Sequence, residues 1–175
     1  MHKLFLLSFL GFLSFSQLFG QKLKQDEVDK FTKKSIKATS WENLIGGGGM
    51  SSLFTNFRIR KIDENVYFEL KMMLNGKIYS IYENDKIIFL LDNDSTITLY
   101  NIESSVACKG CGATGFVGSD GYGTHTRYLL SDIDIDSFKK NKIAGIRIYT
   151  SDSYVERNTN QVTPVLLKSL SLVGK

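Results

Sequence analysis

Cysteine, proline, histidine and tryptophan are all scarce in this chain: two, one, two and one in 175 residues. No cysteine precedes Cys108, so an N-terminal lipid-modified cysteine is excluded from the residues present. Two cysteines and His125 leave a tetrahedral zinc site one ligand short, since His2 stands in the leader. No long apolar run exists either. Leu4–Leu13 is broken by Ser14, Ser16 and Gln17, too early for the roughly 18 residues a membrane span needs. Charge of one sign is nowhere concentrated: the net charge is +4, and the nearest thing to a basic cluster is Lys33, Lys34 and Lys37. A stripe able to grip nucleic acid is therefore not expected. Internal repeats and low-complexity tails are absent, which excludes solenoid architectures.

What is present begins with the leader. Lys3, the apolar run and the small residues that end it predict a secretory signal peptide over residues 1–20, with cleavage after Ser16 or Gly20. The expected product is exported, to the periplasm or beyond the cell, without a membrane span in the mature chain. Residues 21–30 are charged and aperiodic and read as a flexible lead-in. Residues 31–175 then form one domain, at about 150 residues per domain.

Between residues 53 and 102 the hydrophobic period is two. Phe57 and Ile59 alternate with Arg58 and Arg60; Phe68, Leu70 and Met72 alternate with Glu69 and Lys71. This is the pattern of strands with one buried face. Asn75-Gly76 predicts a type I′ hairpin joining residues 68–74 to a strand over 77–82. Ile87–Leu91 is apolar throughout and reads as a central strand covered on both faces; Thr96–Ile102 follows as another. Ser35–Ile45 reads as a strand plus a turn, with Trp41 the N-terminal core anchor, and Gly46–Gly49 as a loop. Glycines 110, 112, 115, 118, 121 and 123 predict a long loop or loose hairpin over residues 104–127.

Ser131 caps an expected helix to Lys140, with Asp132, Asp134 and Asp136 near its positive end and Asn141 stopping it in a left-handed conformation. Lys142–Tyr149 and Tyr154–Arg157 pair as strands, and Pro164–Leu172 is a helix with its proline in the first turn. The fold class is mainly β: an antiparallel sandwich or rolled sheet of about seven to nine strands, with two short helices near the C-terminus.

Several motifs invite chemistry. Gly110–Gly115 spells G-x-G-x-x-G, but Gly118, Gly121 and Gly123 deny the helix that a dinucleotide needs. Cys108-Lys109-Gly110-Cys111 is a C-x-x-C in an oxidising compartment, and a local disulfide is its first reading. A metal site would add His125 and Asp120; a redox pair would need a helix at the first cysteine. The run Cys108–Gly115 also resembles one C-x-x-C-x-G-x-G repeat from the cysteine-rich domain of J-domain chaperones, with Ala113 in place of a glycine and a single copy where that domain needs several. Asp132, Asp134 and Asp136 imitate a calcium loop, but Ser137 and Ile143 stand where it needs Gly and Glu. Ser119, Asp120 and His125 imitate a hydrolase triad without a nucleophile elbow. Tyr67, Tyr79, Tyr82 and Tyr149 fall on expected strands, where a stiff amphipathic ring on an open face can anchor a partner.

The function expected is that of a non-enzymatic binding or structural module of the bacterial envelope, contacting a protein or glycan and requiring no cofactor. The alternative is a small hydrolase or metal-dependent enzyme centred on Cys108, Cys111, Asp120 and His125.

Overall fold

The computed structural model describes residues 21–46, 53–74, 76–111 and 121–175. The signal-peptide reading, Gly47–Gly49, Asn75, Gly112–Gly118, Ser119 and Asp120 lie outside them. In chain order the strands are β1 (Leu23–Val28), β2 (Ser35–Thr39), β3 (Glu42–Gly46), β4 (Leu53–Ile62), β5 (Asn65–Leu74), β6 (Ser80–Ile81), β7 (Lys86–Leu91) and β8 (Thr96–Tyr100). There follow β9 (Ser105–Val106), β10 (Cys108–Lys109), β11 (Tyr122–Leu130), helix α1 (Asp132–Lys140), β12 (Ile143–Tyr149), β13 (Tyr154–Asn158) and helix α2 (Val162–Leu172). The chain is mainly β, as expected. The strand count exceeds seven to nine because β6, β9 and β10 are two residues each, and β2 and β3 are two halves of one path along β4.

Two antiparallel sheets carry the fold. The larger runs β1-β2-β4-β5-β11-β10, with β3 also on β4; the smaller runs β13-β12-β7-β8. The β4–β5 hairpin turns in two residues, Asp63 and Glu64, and pairs ten residues with ten, from Ile62↔Asn65 to Leu53↔Leu74. Asp63 takes φ 52° there, a left-handed conformation its short polar side chain tolerates, and its carboxylate accepts the Ser35 amide at 2.9 Å. Where the chain crosses from β2 to β3, threonine hydroxyls stand in for ladder bonds. Thr39 Oγ1 accepts the Ile59 amide at 3.1 Å, and Thr55 Oγ1 accepts the Ile45 amide at 2.8 Å.

The sheets are also joined edge to edge. Asn101, just past β8, bridges Tyr128 on β11. Its side-chain Oδ1 accepts the Arg127 amide at 3.3 Å, and its Nδ2 donates to the carbonyls of Tyr82 and Glu103. The Ile102 amide adds a bond to the Arg127 carbonyl at 3.0 Å. These bonds tie the edges of the two sheets at one point, and the sheets and helices enclose one core. Inside it, Phe57 stacks on Phe68, Phe68 meets Phe89 edge-on at 5.5 Å, and Phe89 meets Phe138 of α1 at 5.1 Å. All four rings are fully buried, each stabilising the fold by roughly 2–3 kcal/mol. Ile135 of α1 and Leu166 and Leu170 of α2 complete the core.

The helix readings hold in outline. Ser131 caps α1 through a reciprocal capping box with Asp134: its Oγ accepts the Asp134 amide at 3.1 Å, and the Asp134 carboxylate accepts the Ser131 amide at 2.9 Å. Asn141 is extended rather than left-handed, at φ −131°, and ends the helix by donating its side-chain amide to the Ser137 carbonyl. Pro164 lies in the first turn of α2, which begins two residues earlier than expected.

Further expectations fail. The lead-in is strand β1, antiparallel to β2, so ordered structure starts before Phe31, whose side chain is 95% exposed. Gly76 does turn, at φ 72°, but the chain beyond it leaves β5, and Ser80–Ile81 pairs β9 instead. The reason is competition: β11 takes that edge of β5 over eight residue pairs, from Gly123↔Met73 to Leu130↔Val66. The same pairing makes residues 122–127 strand, and β10 against β11, Cys108↔Gly123 and Lys109↔Tyr122, gives the loose-hairpin alternative rather than the loop. Ile87–Leu91 is central but covered on one face only, with Leu90 39% exposed. Trp41 lies outside the core altogether.

Candidate functional site

The strands that bury Phe57, Phe68 and Tyr128 on one side carry charge on the other, because successive side chains alternate faces. On this outer face the register forms rows. Arg58 pairs Glu69, and Glu69 pairs Arg127, with Trp41 beside Arg58. One row further, Asn43, Asn56, Lys71 and His125 align across β3, β4, β5 and β11. On the other side Arg60 pairs Tyr67.

Glu69 sits at the centre with its side chain fully buried. Arg58 Nε donates to it at 2.6 Å and Arg60 reaches it at 3.5 Å. Arg127 Nε stands 3.3 Å and His125 Nε2 3.5 Å from the same carboxylate. Burial alone would raise this carboxyl. The imidazole of His125 and the guanidinium of Arg58 overcome that and hold it at about 2. Around the carboxylate the rings organise the cations. The Arg58 guanidinium lies 4.6 Å and the Lys71 ammonium 4.3 Å from the Trp41 ring centre, within cation–π range. His125 meets Trp41 edge-on at 5.3 Å, and Arg127 lies 5.7 Å over Tyr67. Trp41 is thus a pillar for positive charge. Burial and the neighbouring Arg58 push the Lys71 amine down, with Glu69 opposing.

The cluster has more donors than acceptors. Two arginines, Arg60 and Arg127, and His125 each bury a nitrogen that makes no hydrogen bond among the described residues. The carboxylate of Glu69 is close enough to attract them but is not aligned with them. Glu103 adds one further acceptor 3.7 Å from Arg127.

Among the described residues, His125 and Tyr67 are the candidate site residues from sequence that belong to this face, and Trp41, expected in the core, joins them. Cys108 and Cys111 are disulfide-paired, with Cα atoms 5.1 Å apart across a turn in which Gly110 takes φ 77°. Their sulfurs are bonded to each other, and His125 faces Glu69 and Trp41 instead. Asp120 lies outside the described residues. Tyr79 is corrected from an open face to the core: it is 2% exposed, its hydroxyl donates to the Met72 carbonyl at 2.6 Å and meets Thr124 Oγ1 at 3.2 Å. Burial pushes its pKa up to about 12. Tyr82 is exposed, away from the cluster, and Tyr149 stands on the smaller sheet 5.8 Å from Tyr154.

Sequence reasoning missed Arg58, Arg60, Glu69, Lys71 and Arg127 as a group. The signal was available for four of them: outward alternation on β4 and β5, folded about the Asp63–Glu64 turn, sets Arg58 against Glu69. A concavity of about 260 Å³ lies on the outer face of the smaller sheet between Ile88, Leu90, Gly145, Arg147, Glu156 and Asn158. Among the described residues no helix is long and apolar enough to cross a membrane, and no group of three or more His, Cys, Asp or Glu is placed to hold a metal ion. Compared with known proteins, the chain matches no family model, no curated protein and no solved structure.

Proposed function

We propose that this protein is an exported, non-enzymatic binding module that grips a protein or glycan of the bacterial envelope with the Trp41 face. One observation carries the reading: an indole, a phenol, three guanidiniums and an imidazole stand together on the outer face of the larger sheet. Trp, Tyr and Arg are the side chains that dominate binding energy at interfaces. Chain stability alone would favour Trp41 in the apolar interior. Export rests on Lys3 and the apolar run after it.

Tagged mature chain incubated with envelope fractions should recover a partner. The double variant Trp41→Ala, Tyr67→Ala should lose that partner while keeping a cooperative unfolding transition. Recovery unchanged in the folded double variant would refute the reading.

A small hydrolase or metal-dependent enzyme is the second reading. The observation in its favour is the Glu69 carboxylate 3.5 Å from His125 Nε2, a pairing of the residue types that general acid–base catalysis uses. His125→Ala separates the two. A binding module keeps most of its partner recovery in this variant; complete loss of the cellular role in a folded His125→Ala protein would put the enzyme first.

A further inference from the structure

The surplus of donors on the Trp41 face says what chemistry a ligand must bring. Glu69 offers two oxygens to Arg58, Arg60, Arg127 and His125. Guanidinium groups have five N–H donors each and no acceptor, so three of them exceed what one carboxylate can satisfy. Buried nitrogens of Arg60, Arg127 and His125 make no hydrogen bond among the described residues. The side chains around Glu69 remain partly open to solvent, 18% for Arg58, 20% for Arg60, 29% for Arg127 and 37% for His125. Their outward edges can therefore meet an acceptor carried by another molecule. Three of the cations are arginines, whose planar fork matches a planar carboxylate. The face already demonstrates that preference on its own glutamate.

Shape selects among carboxylate carriers. Four strands, β3, β4, β5 and β11, lie side by side beneath the face, about 5 Å apart, so the surface is broad. Its composition, Trp, Tyr and Arg around a desolvated centre, is that of a protein-binding hot spot with water-excluding neighbours. We propose that the Trp41 face docks an acidic polypeptide segment, whose Asp and Glu carboxylates engage Arg60 and Arg127. This rests on the reading of that face as the binding surface and adds the class of its partner.

Titration of the mature protein with poly-glutamate, polygalacturonate and neutral dextran tests it. Poly-glutamate should bind and weaken as salt rises. Arg60→Gln and Arg127→Gln should each reduce its affinity roughly tenfold, while Lys139→Gln, Lys140→Gln, on α1, should leave it unchanged. Arg60→Lys keeps the charge beside Glu69 and gives up only the planar fork, so it keeps the test sharp if a glutamine variant fails to fold. Polygalacturonate binding as tightly as poly-glutamate would overturn the polypeptide assignment in favour of an acidic glycan. Equal losses in the α1 double variant would reduce the effect to net charge and overturn the site. If a folded Trp41→Ala, Tyr67→Ala protein loses its envelope partner yet wild type ignores poly-glutamate, the binding face stands and the acidic partner falls. If neither depends on the face, both readings fall.

Discussion

Two arginine–glutamate pairs in this protein close at the same distance, 2.6 Å, on the outer faces of the two sheets. Arg58–Glu69 has a carboxylate side chain that is fully buried; in Arg147–Glu156 the glutamate is 44% exposed. The geometry is alike and the surroundings are not. Arg147–Glu156 trades water for protein and back again at little gain, and salt screens it. Glu69 has no water to return to, so its partners are what keep it ionised. Distance alone does not rank ion pairs; what each group would face without its partner does.

The largest expected effect breaks that contrast open. Glu69→Ala should cost roughly 3–5 kcal/mol in urea unfolding, because it leaves several half-buried cations without their counter-charge. Glu156→Ala should leave the unfolding midpoint where it was. Equal losses for the two variants would remove burial as the explanation.

Acid should separate the pairs without mutation. Glu69 is held near 2 in the folded chain against an ordinary 4.5. A depressed carboxyl stabilises fully above its unfolded value, and that stability drains away as pH falls from about 4.5 toward about 2. The loss amounts to roughly 3 kcal/mol at its limit. Urea midpoints across this window should fall steeply in wild type and less steeply in Glu69→Gln, which has no proton to take up. Parallel slopes in the two proteins would contradict the pairing.

The smallest effect concerns the loop beside the face. Opening the Cys108–Cys111 link, by reduction or by Cys108→Ala, Cys111→Ala, should cost about 2 kcal/mol, as expected for so short a closed ring. Because Cys108 pairs Gly123 on β11, two residues before His125, binding at the Trp41 face should weaken less than on loss of Arg60. A reduced protein that loses binding entirely would make the disulfide part of the recognition surface.

How far the sequence discloses all this depends on which face of a strand is polar. β4 and β5 alternate apolar and charged residues, so their buried face is visible in the sequence, and with the two-residue turn so is Arg58 opposite Glu69. β11 hides itself because its inward side begins with Thr124 and Thr126, both fully buried. Polar residues inside and out leave no period to read, and the glycines around them suggest a loop. Trp41 misleads for the opposite reason. Large aromatic rings usually signal a core, yet Arg58 and Lys71 hold this one on the outside. Tyr79 shows the reverse case, a ring whose hydroxyl finds the Met72 carbonyl and so can be buried. Local pattern identifies strands; partner strands far along the chain decide faces, and those partners are not local.

Strand β1 carries its own lesson about association between molecules. A sheet that does not close leaves free edges, and a free edge is a template on which another chain can add a strand. Here β1 ends the larger sheet and β13 the smaller. β1 reads Leu-Lys-Gln-Asp-Glu-Val, and its exposed Lys24, Asp26 and Glu27 would have to be brought against a neighbour's backbone in any such pairing. β13 holds Glu156 and Arg157 in the same position. The charges that make residues 23–28 look like an unstructured lead-in are the ones that oppose strand addition at this edge.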